Sequence, residues 1–254
     1  MSFIVVIPAR MASTRLPDKP LLDIGGRPMV IRTAEQAALS GAQRILIATD
    51  DIRVQQAADE YGYESLITRA EHPTGTDRLA QVAQQLEWPD DAVVVNVQAD
   101  EPLIEPELID LVAGALRGAD DAAIATCAAP IDDAQVLFDP NVVKVVCTHL
   151  GRALYFSRAP IPWARDALAD GRQRVADGLP ALRHIGLYAY RAAFLRAYPS
   201  LPPGPLERYE SLEQLRAMEN GHVIAVERCP AVPAPGVDTP ADLRRVREIF
   251  ANRQ

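Results

Sequence analysis

Three continuous apolar runs, each followed by a helix-like pattern, constrain the fold of this chain most strongly. The runs cover 3–8, 44–49 and 92–98, and a shorter one covers 64–67. Strands that are apolar at nearly every position are typical of parallel sheets, because both faces of such sheets are buried. Hydrophobic residues make up 48% of the sequence, which is enough for a sizeable core. The pattern predicts an α/β fold with a doubly wound, mostly parallel sheet.

Helix signals lie between these predicted strands, and each comes with a start or stop residue. The candidates are Pro28 at the first position of a helix that stops by Gly41, Asp50 or Asp51 before 52–61, Thr74 or Thr76 before 77–87, and Glu105 at the start of 105–116.

The second half of the sequence is less regular. The segment 158–182 is rich in Arg, Pro, Gly and Asp and has no periodicity, so it reads as a long loop. We expect one domain over 1–254, in which about 130–220 forms a smaller inserted lobe. The other predicted elements are strands over 122–128, 142–148, 153–156 and 183–190, and helices over 191–198, 206–219 and 240–252.

The predicted first strand leads into a loop with three cations, Arg10, Arg15 and Lys19. In open α/β sheets, ligands bind beyond the carboxyl ends of the strands, where main-chain N–H groups and cations can hold phosphate. Only two of the 26 basic residues are lysines, so a lysine at this position favours a compact point charge, which suits a phosphate. We therefore predict a phosphate site here, with a solvated turn as the plainer alternative.

The formal net charge of −8 argues against nonspecific binding to nucleic acids or to anionic membranes. No apolar run reaches the length of a membrane span. The three cysteines, Cys127, Cys147 and Cys229, lack the spacing of a disulfide framework or a zinc site. These features predict a cytoplasmic protein that binds neither nucleic acid nor membrane.

Two carboxylates stand where a metal ion could connect the protein to phosphate. Asp100 follows the apolar run 92–98 and is expected at the same sheet edge as the cationic loop. Asp238 lies just before the Thr-Pro start of the predicted helix over 240–252. Magnesium binds one or two carboxylates and completes its shell with phosphate oxygens and water. The alternative is ordinary turn and helix-start chemistry at both positions.

A nucleotide could also be contacted at the entry of the predicted helix over 77–87. Unpaired N–H groups at a helix start bind anions or the polar edge of a base, and the Thr-Gly-Thr sequence at 74–76 adds hydroxyls. Gln98 offers both a donor and an acceptor to the same ligand. An ordinary helix cap explains the threonines equally simply.

Residues suited to a polyhydroxylated ligand occur in the second half. On a strand, alternate residues share one face, so His184, Gly186 and Tyr188 would form a roomy surface with polar tips. Glu210 and Gln214 are one turn apart in the predicted helix over 206–219 and would lie on one side of it. A half-buried surface strand and a solvated helix face are the plainer alternatives.

Six stretches, at 7–21, 69–78, 96–102, 155–163, 183–188 and 236–240, follow a known pattern in the same order along essentially the whole chain. In these stretches the chain resembles the acidic-sugar nucleotidyltransferases, which activate acidic sugars with CTP. The resemblance is strongest to the cytidylyltransferases of 3-deoxy-manno-octulosonate (Kdo). It implies transfer of CMP from CTP to Kdo with release of pyrophosphate, a role in lipopolysaccharide biosynthesis, a homodimer, and a lobe that binds sugar or joins the subunits.

The resemblance also implies roles for individual residues. Those implied to be catalytic are Arg10, Lys19, Asp100 and Asp238, of which Asp100 and Asp238 would bind Mg²⁺. Those implied to bind the nucleotide are Pro8, Ala9, Arg10, Ser13, Arg15, Lys19, Thr74, Gly75, Thr76, Arg78 and Gln98. Those implied to bind the sugar are Glu210 and Gln214, together with the strand residues His184 and Tyr188. The planar guanidinium groups of Arg158 and Arg165 could pair with the sugar carboxylate, and ordinary surface arginines are the plainer alternative.

Other functions share part of this pattern. An amino analogue of Kdo or a sialic acid could replace Kdo, and another nucleotide could be joined to a sugar phosphate. A noncatalytic nucleotide-binding regulator would use the same fold, but the paired carboxylates argue against it, since binding alone needs no metal bridge.

Overall fold

The computed structural model describes residues 2–12, 15–168, 171 and 174–252. The chain forms two compact units. The first consists of Met1–Ala113, Ala189–Pro199 and Pro233–Gln254, and the second of Gly114–Tyr188 and Ser200–Val232. The predicted lobe at about 130–220 overlaps the second unit over most of its length, and its role stays a prediction.

The elements alternate between strand and helix through the first half. Two short 3-10 helices, Lys19–Leu21 and Tyr198–Ser200, accompany them. In chain order the elements are β1 (Phe3–Ala9), α1 (Met29–Ala38), β2 (Arg44–Thr49), α2 (Ile52–Glu60), β3 (Glu64–Ile67), α3 (Gly75–Gln85), β4 (Val93–Asn96), α4 (Pro106–Arg117), β5 (Ala122–Pro130), α5 (Ala134–Phe138), β6 (Lys144–Cys147), β7 (Ala153–Ser157), β8 (Leu182–Arg191), α6 (Ala192–Ala197), α7 (Pro205–Glu210), α8 (Gln214–Glu219), β9 (Val223–Arg228) and α9 (Pro240–Ala251).

In the first unit the strand order is β3-β2-β1-β4, and all three pairings are parallel. The central position of β1 explains its apolar sequence, because Val5 is paired with Ile45 on one side and Val95 on the other. The carboxyl ends of parallel strands meet at one edge. The loops that follow β1, β2 and β4 therefore lie together at that edge, as the sequence predicts.

The structure shows which of the predicted residues cap the helices. Asp51 caps α2 by accepting from the Arg53 N–H at 2.8 Å, and Thr74 caps α3. Thr239 and Asp242 form the reciprocal capping box of α9. Pro28 is not the first helical residue. Its ψ of 146° is extended, so the helix begins one residue later.

A hydrophobic cluster in the first unit joins side chains that are far apart in sequence. It packs α9 against the residues around the loop after β1, and so brings both parts of the chain to one place. The cluster contains Leu16, Ile24, Met29, Val237, Leu243, Val246 and Phe250.

The second unit contains parallel and antiparallel pairings. Strands β5 and β9 are parallel, whereas β6 is antiparallel to both β7 and β8. Neither β9 nor α5 was predicted from the sequence. Between β7 and β8 the described residues contain neither helix nor strand, as the sequence predicts for most of 158–182. Among the described residues, no helix has both the length and the apolar character needed to cross a membrane.

The prediction of one helix over 206–219 is wrong. The helix ends at Glu210, Ser211 adopts a left-handed conformation with φ 53° and ψ 51°, and a new helix begins at Gln214. An ion pair between Glu207 and Arg216, with N–O distances of 2.6 and 2.8 Å, holds the two short helices together. Glu210 and Gln214 therefore do not share a helical turn.

Candidate active site

Lys19 lies at the centre of a charged cluster in the first unit. Its Nζ donates to Asp100 Oδ2 at 2.5 Å and to Asp238 Oδ1 at 3.0 Å, and its side chain is only 15% exposed. Arg15 donates to the same Asp238 oxygen at 3.2 Å. The structure thus brings together two carboxylates that are distant in sequence, around one cation.

The backbone explains how Asp100 and Asp238 come together. The Val237 N–H donates to the Asp100 carbonyl at 2.8 Å, so the chain before α9 is tied to the turn after β4. At Gly236 a Cβ atom would lie 3.1 Å from the same carbonyl, which is a tight contact with rigid backbone. Glycine is therefore the residue that permits this close approach.

These two carboxylates fit a magnesium ion that shares its ligands with a phosphate. Both reach one cation, the Lys19 ammonium, which shows that their oxygens converge on one point. Within the described residues, no group of three or more His, Cys, Asp or Glu side chains forms a potential metal site. A site with two carboxylates suits Mg²⁺ only when water and phosphate oxygens complete the shell.

Glu101 is a half-buried acid beside this cluster. Its Oε2 is buried and makes no hydrogen bond with the described chain. Burial, with a further contribution from the negative charge of Asp100, raises the pKa of Glu101 to about 8. At neutral pH this carboxyl is therefore mostly protonated and adds little negative charge next to Asp100.

The loop after β1 is attached to neighbouring strand ends. Arg10 follows β1 directly and is exposed. The next residue, Met11, donates its N–H to Asp50 Oδ1 at 3.4 Å, and Asp50 also accepts from buried Arg78 of α3 at 3.1 Å. Arg78 donates further to the Thr68 hydroxyl. Through Asp50, the Arg78 guanidinium therefore helps to hold the loop after β1 in place. Ser13 lies outside the described residues.

The start of α3 lies close to the end of β1. A Cβ atom at Gly75 would be 3.6 Å from Pro8 Cγ and 4.0 Å from Gln98 Nε2. The Thr74 hydroxyl is occupied with Asp77, donating to its carboxylate at 2.8 Å and accepting from its N–H at 3.2 Å. Four predicted nucleotide-binding residues, Pro8, Thr74, Gly75 and Gln98, thus lie at one sheet edge. Ala9 follows Pro8 in the sequence, Thr76 follows Gly75, and both are buried.

In the second unit, Glu210 at the end of α7 is held by donors from β7. Its carboxylate accepts from the Ser157 hydroxyl at 2.5 Å, the Arg158 N–H at 2.9 Å and the Tyr155 hydroxyl at 3.4 Å. Burial raises the pKa of Glu210, but these hydrogen bonds outweigh it and leave the pKa below its ordinary value. The carboxylate is therefore ionised and fixed in position.

Arg158 and Lys144 order the chain around Glu210. Arg158 donates from Nε to the Glu210 carbonyl at 2.7 Å and from Nη1 to the Pro140 carbonyl at 3.1 Å. Lys144 Nζ donates to the carbonyls of Asp139, Val142 and Arg158 at 2.6–2.9 Å. The Lys144 side chain is buried, and this burial lowers its pKa.

The other predicted sugar residues have different surroundings. The His184 ring packs edge-on against Phe156 and beside Tyr188, so His184 and Tyr188 do share one face of β8. Gln214 begins α8, and its Nε2 is buried with no hydrogen-bond partner in the described chain. Arg165 is 94% exposed and lies 3.9 Å from the Asp166 carboxylate.

Comparison with known proteins decides the family. The sequence model of a family described as cytidylyltransferase matches residues 4–227. The chain belongs to the cytidylyltransferase family. A solved structure described as CMP:2-keto-3-deoxy-manno-octonic acid synthetase complexed with CTP is 40% identical to it, covers 100% of both chains and has a TM-score of 0.90. A cytidylyltransferase from Leptospira borgpetersenii serovar Hardjo-bovis (strain JB197) is 16% identical, covers 99% of this chain and 88% of its own, and shares the fold with a TM-score of 0.61.

The family assignment confirms the predicted nucleotidyltransferase fold and enzyme class. The cationic loop, the start of α3 and the two carboxylates lie at the carboxyl edge of the strands in the first unit. The individual roles of these residues stay predictions, since geometry alone does not assign them.

Sequence reasoning missed several residues that organise this cytidylyltransferase. Asp50 follows a predicted strand, as Asp100 does, and this shared position was the available signal. Lys144 was noticeable as one of only two lysines. Tyr155 and Ser157 lie in a stretch that resembles the family, but their bonds to Glu210 depend on residues more than 50 positions away.

Proposed function

We propose that this cytidylyltransferase transfers the CMP moiety of CTP to Kdo and releases pyrophosphate. The observation that carries the proposal is the 40% identity, over the full length of both chains, to a synthetase of the same CMP-sugar complexed with CTP. The 2-hydroxyl of the sugar attacks the α-phosphorus in line, the bond to the β-phosphate oxygen breaks, and the hydroxyl proton is released.

Such a transfer depends on positioning and on neutralisation of charge more than on covalent help from the protein. Arg10, Arg15 and Lys19 would supply positive charge at this edge, in a chain whose formal net charge is −8. Lys19 is the most constrained of the three, because it is nearly buried and already bonded to two carboxylates. It would offset charge that develops on the triphosphate.

Asp100 and Asp238 would hold Mg²⁺ together with phosphate oxygens. The ion would act as a Lewis acid and as a template that orients the reacting groups. The support is the convergence of the two carboxylates on one cation.

The nucleotide would bind at the carboxyl edge of the first unit's strands. Pro8, Ala9 and the Thr-Gly-Thr start of α3 would contact it, and Gln98 would read polar groups of the base. Arg78 would act indirectly, by holding Asp50 in position, rather than by contacting the nucleotide. Ser13 is assigned to nucleotide binding by family resemblance.

The sugar would be bound by residues of the second unit. Glu210 is a fixed, ionised acceptor for hydroxyl groups, and Gln214 has a buried amide donor that lacks a partner among the residues described. His184 and Tyr188 add one polar strand face, and Arg158 and Arg165 would bind the sugar carboxylate. We further propose a cytoplasmic homodimer that serves lipopolysaccharide biosynthesis, on the basis of family resemblance.

The proposal is tested by measuring pyrophosphate release from CTP and Mg²⁺ with a panel of acidic sugars. We expect the highest kcat/KM with Kdo, and no release from the Asp238→Asn variant. Faster turnover of the amino analogue or of a sialic acid would reassign the sugar. CTP binding without release of pyrophosphate for any sugar would instead indicate a noncatalytic nucleotide-binding protein.

A further inference from the structure

A buried hydroxyl lies beside the His184 ring in the second unit. Thr126, in the middle of β5, is fully buried. Its Oγ1 lies 3.1 Å from His184 Nε2, 2.9 Å from the Ile185 carbonyl oxygen and 2.8 Å from the Leu187 carbonyl oxygen. Three groups that can accept a hydrogen bond thus surround a single hydroxyl.

A hydroxyl has one proton to donate and two lone pairs to accept with. If Thr126 donated to His184 Nε2, both carbonyl oxygens would face its lone pairs at less than 3 Å with no hydrogen between them. If it donates to one of the carbonyls, only one such pair remains, and a lone pair can accept from an Nε2–H group. The second arrangement therefore has the lower electrostatic energy.

The charge state of the ring follows from its surroundings. Burial lowers the pKa of His184 to about 3, so the imidazole is neutral at physiological pH and carries one N–H. In a neutral imidazole, one nitrogen donates and the other accepts. The bond to Thr126 is the only hydrogen bond that the ring makes within the described part of the chain.

We propose that Thr126 is a positioning residue that fixes His184 as the Nε2–H tautomer, so that Nδ1 accepts a hydrogen bond from a hydroxyl group of the sugar. This inference rests on the proposed function, in which the His184 face binds the sugar. It also narrows the chemistry of that contact. A lone pair on Nδ1 attracts a donor and repels a carboxylate, so His184 recognises a hydroxyl and not the acid group.

The tautomer can be measured in the free protein by ¹⁵N NMR of labelled histidine side chains. We expect a protonated Nε2 and an unprotonated Nδ1 for His184. In Thr126→Val the shape is nearly kept but the acceptor is lost, so we expect a mixture of tautomers. Thr126→Ser retains the hydroxyl and should restore the native spectrum. A protonated Nδ1 in the native protein would overturn the proposal.

Steady-state kinetics test whether His184 contacts a hydroxyl group of the sugar. Thr126→Val should raise the KM for Kdo on the order of tenfold, the value of one lost hydrogen bond, with the KM for CTP unchanged and Thr126→Ser close to native. Thermal melting of both variants controls for folding. An equal loss for both substrates, or no loss for Kdo, would overturn the sugar contact. Absence of any turnover with Kdo in the native protein would refute the proposed function, while the spectrum still decides the tautomer.

Discussion

At the scale of residues, the two lysines show how this arginine-rich chain uses an ammonium group. Lys19 bonds to two carboxylates, and Lys144 bonds to three backbone carbonyls. In both cases several acceptors surround one nitrogen. A planar guanidinium fork directs its donors outward and does not match such a compact set of acceptors, whereas an ammonium is a point charge with three rotatable donors.

Lys19→Ala should reduce turnover much more than it reduces stability. The substitution removes an oriented charge, and loss of one such group in a transition state costs about 10²–10³-fold in rate. Steady-state rates and thermal melting measure the two effects, with exposed Arg15→Ala as the milder comparison. Near-normal turnover of a normally melting Lys19→Ala protein would remove Lys19 from the catalytic machinery.

Activity should disappear with EDTA and return with Mg²⁺. Asp100→Asn and Asp238→Asn should each abolish turnover while the protein stays folded, because each amide lacks the negative charge that binds the ion. Circular dichroism and pyrophosphate release measure the two properties. Persistent turnover of either variant in chelator would show that its carboxylate does not serve a metal.

Lys144→Met should destabilise the protein and leave the nucleotide affinity unchanged. Three carbonyl oxygens would lose their donor, and one unsatisfied buried acceptor already costs about 1–3 kcal/mol. Chemical denaturation measures the loss, and Arg244→Met on the exposed surface of α9 is the matched control. Equal stability of the two variants would show that the Lys144 bonds are replaced by water.

At the scale of elements, the first half was predictable because each strand is identified by its own residues. Apolar runs mark β1, β2 and β4, and the caps of α2 and α3 are local side-chain bonds. The capping box of α9, near the other end of the chain, is local in the same way. The break between α7 and α8 was not predictable. It depends on bonds from β7 to Glu210 and on the burial of Leu212, which a local helical pattern cannot reveal.

The site followed the same rule. The position of Asp100 and Lys19 at one sheet edge could be predicted, because each follows a recognisable strand or loop signal. The roles of Glu101 and Thr126 could not be predicted, because Thr126 bonds to another strand and the buried Glu101 Oε2 has no partner in the described chain. Asp50 could be recognised by its position after a predicted strand, but its bond to Arg78 could not.

The start of α7 offers a test of this tertiary dependence. The Glu219 carboxylate accepts from the N–H groups of Leu206 and Glu207 at 3.2 and 3.1 Å, and it occupies the space where a side chain at Gly204 would lie. Gly204→Ala should displace this cap and cost about 1 kcal/mol. In a Glu219→Ala background the same change should cost much less. Additive losses in the double variant would disprove the coupling.

At the scale of the whole molecule, the free energy of unfolding should depend on pH through His184. The folded-state pKa of about 3 lies below the ordinary value of 6.5, so the unfolded chain binds more protons between these values. Stability from this group is therefore complete above pH 6.5 and is lost as the pH falls towards 3.

The slope from one such group approaches about 1.4 kcal/mol per pH unit. Urea denaturation of the native protein and of His184→Gln is compared from pH 4 to pH 7. The comparison separates the contribution of His184 to the free energy of unfolding from that of the carboxylates, which titrate in both proteins. The stability difference between the two proteins should shrink as the pH falls. A pH-independent difference would show that the imidazole binds protons equally in the folded and unfolded states, so that its pKa is not lowered by folding.

The contact between Lys19 and Asp238 joins residues 219 positions apart, and the hydrophobic cluster of the same unit joins residues separated by a similar length of chain. Closing so long a segment has a large entropic cost, which must be met before the contact yields any energy. This contact is therefore expected to form late during folding, after the strands of the first unit have paired. Catalytic competence would then appear only in the last kinetic phase of refolding, and recovery of activity would lag behind recovery of secondary structure.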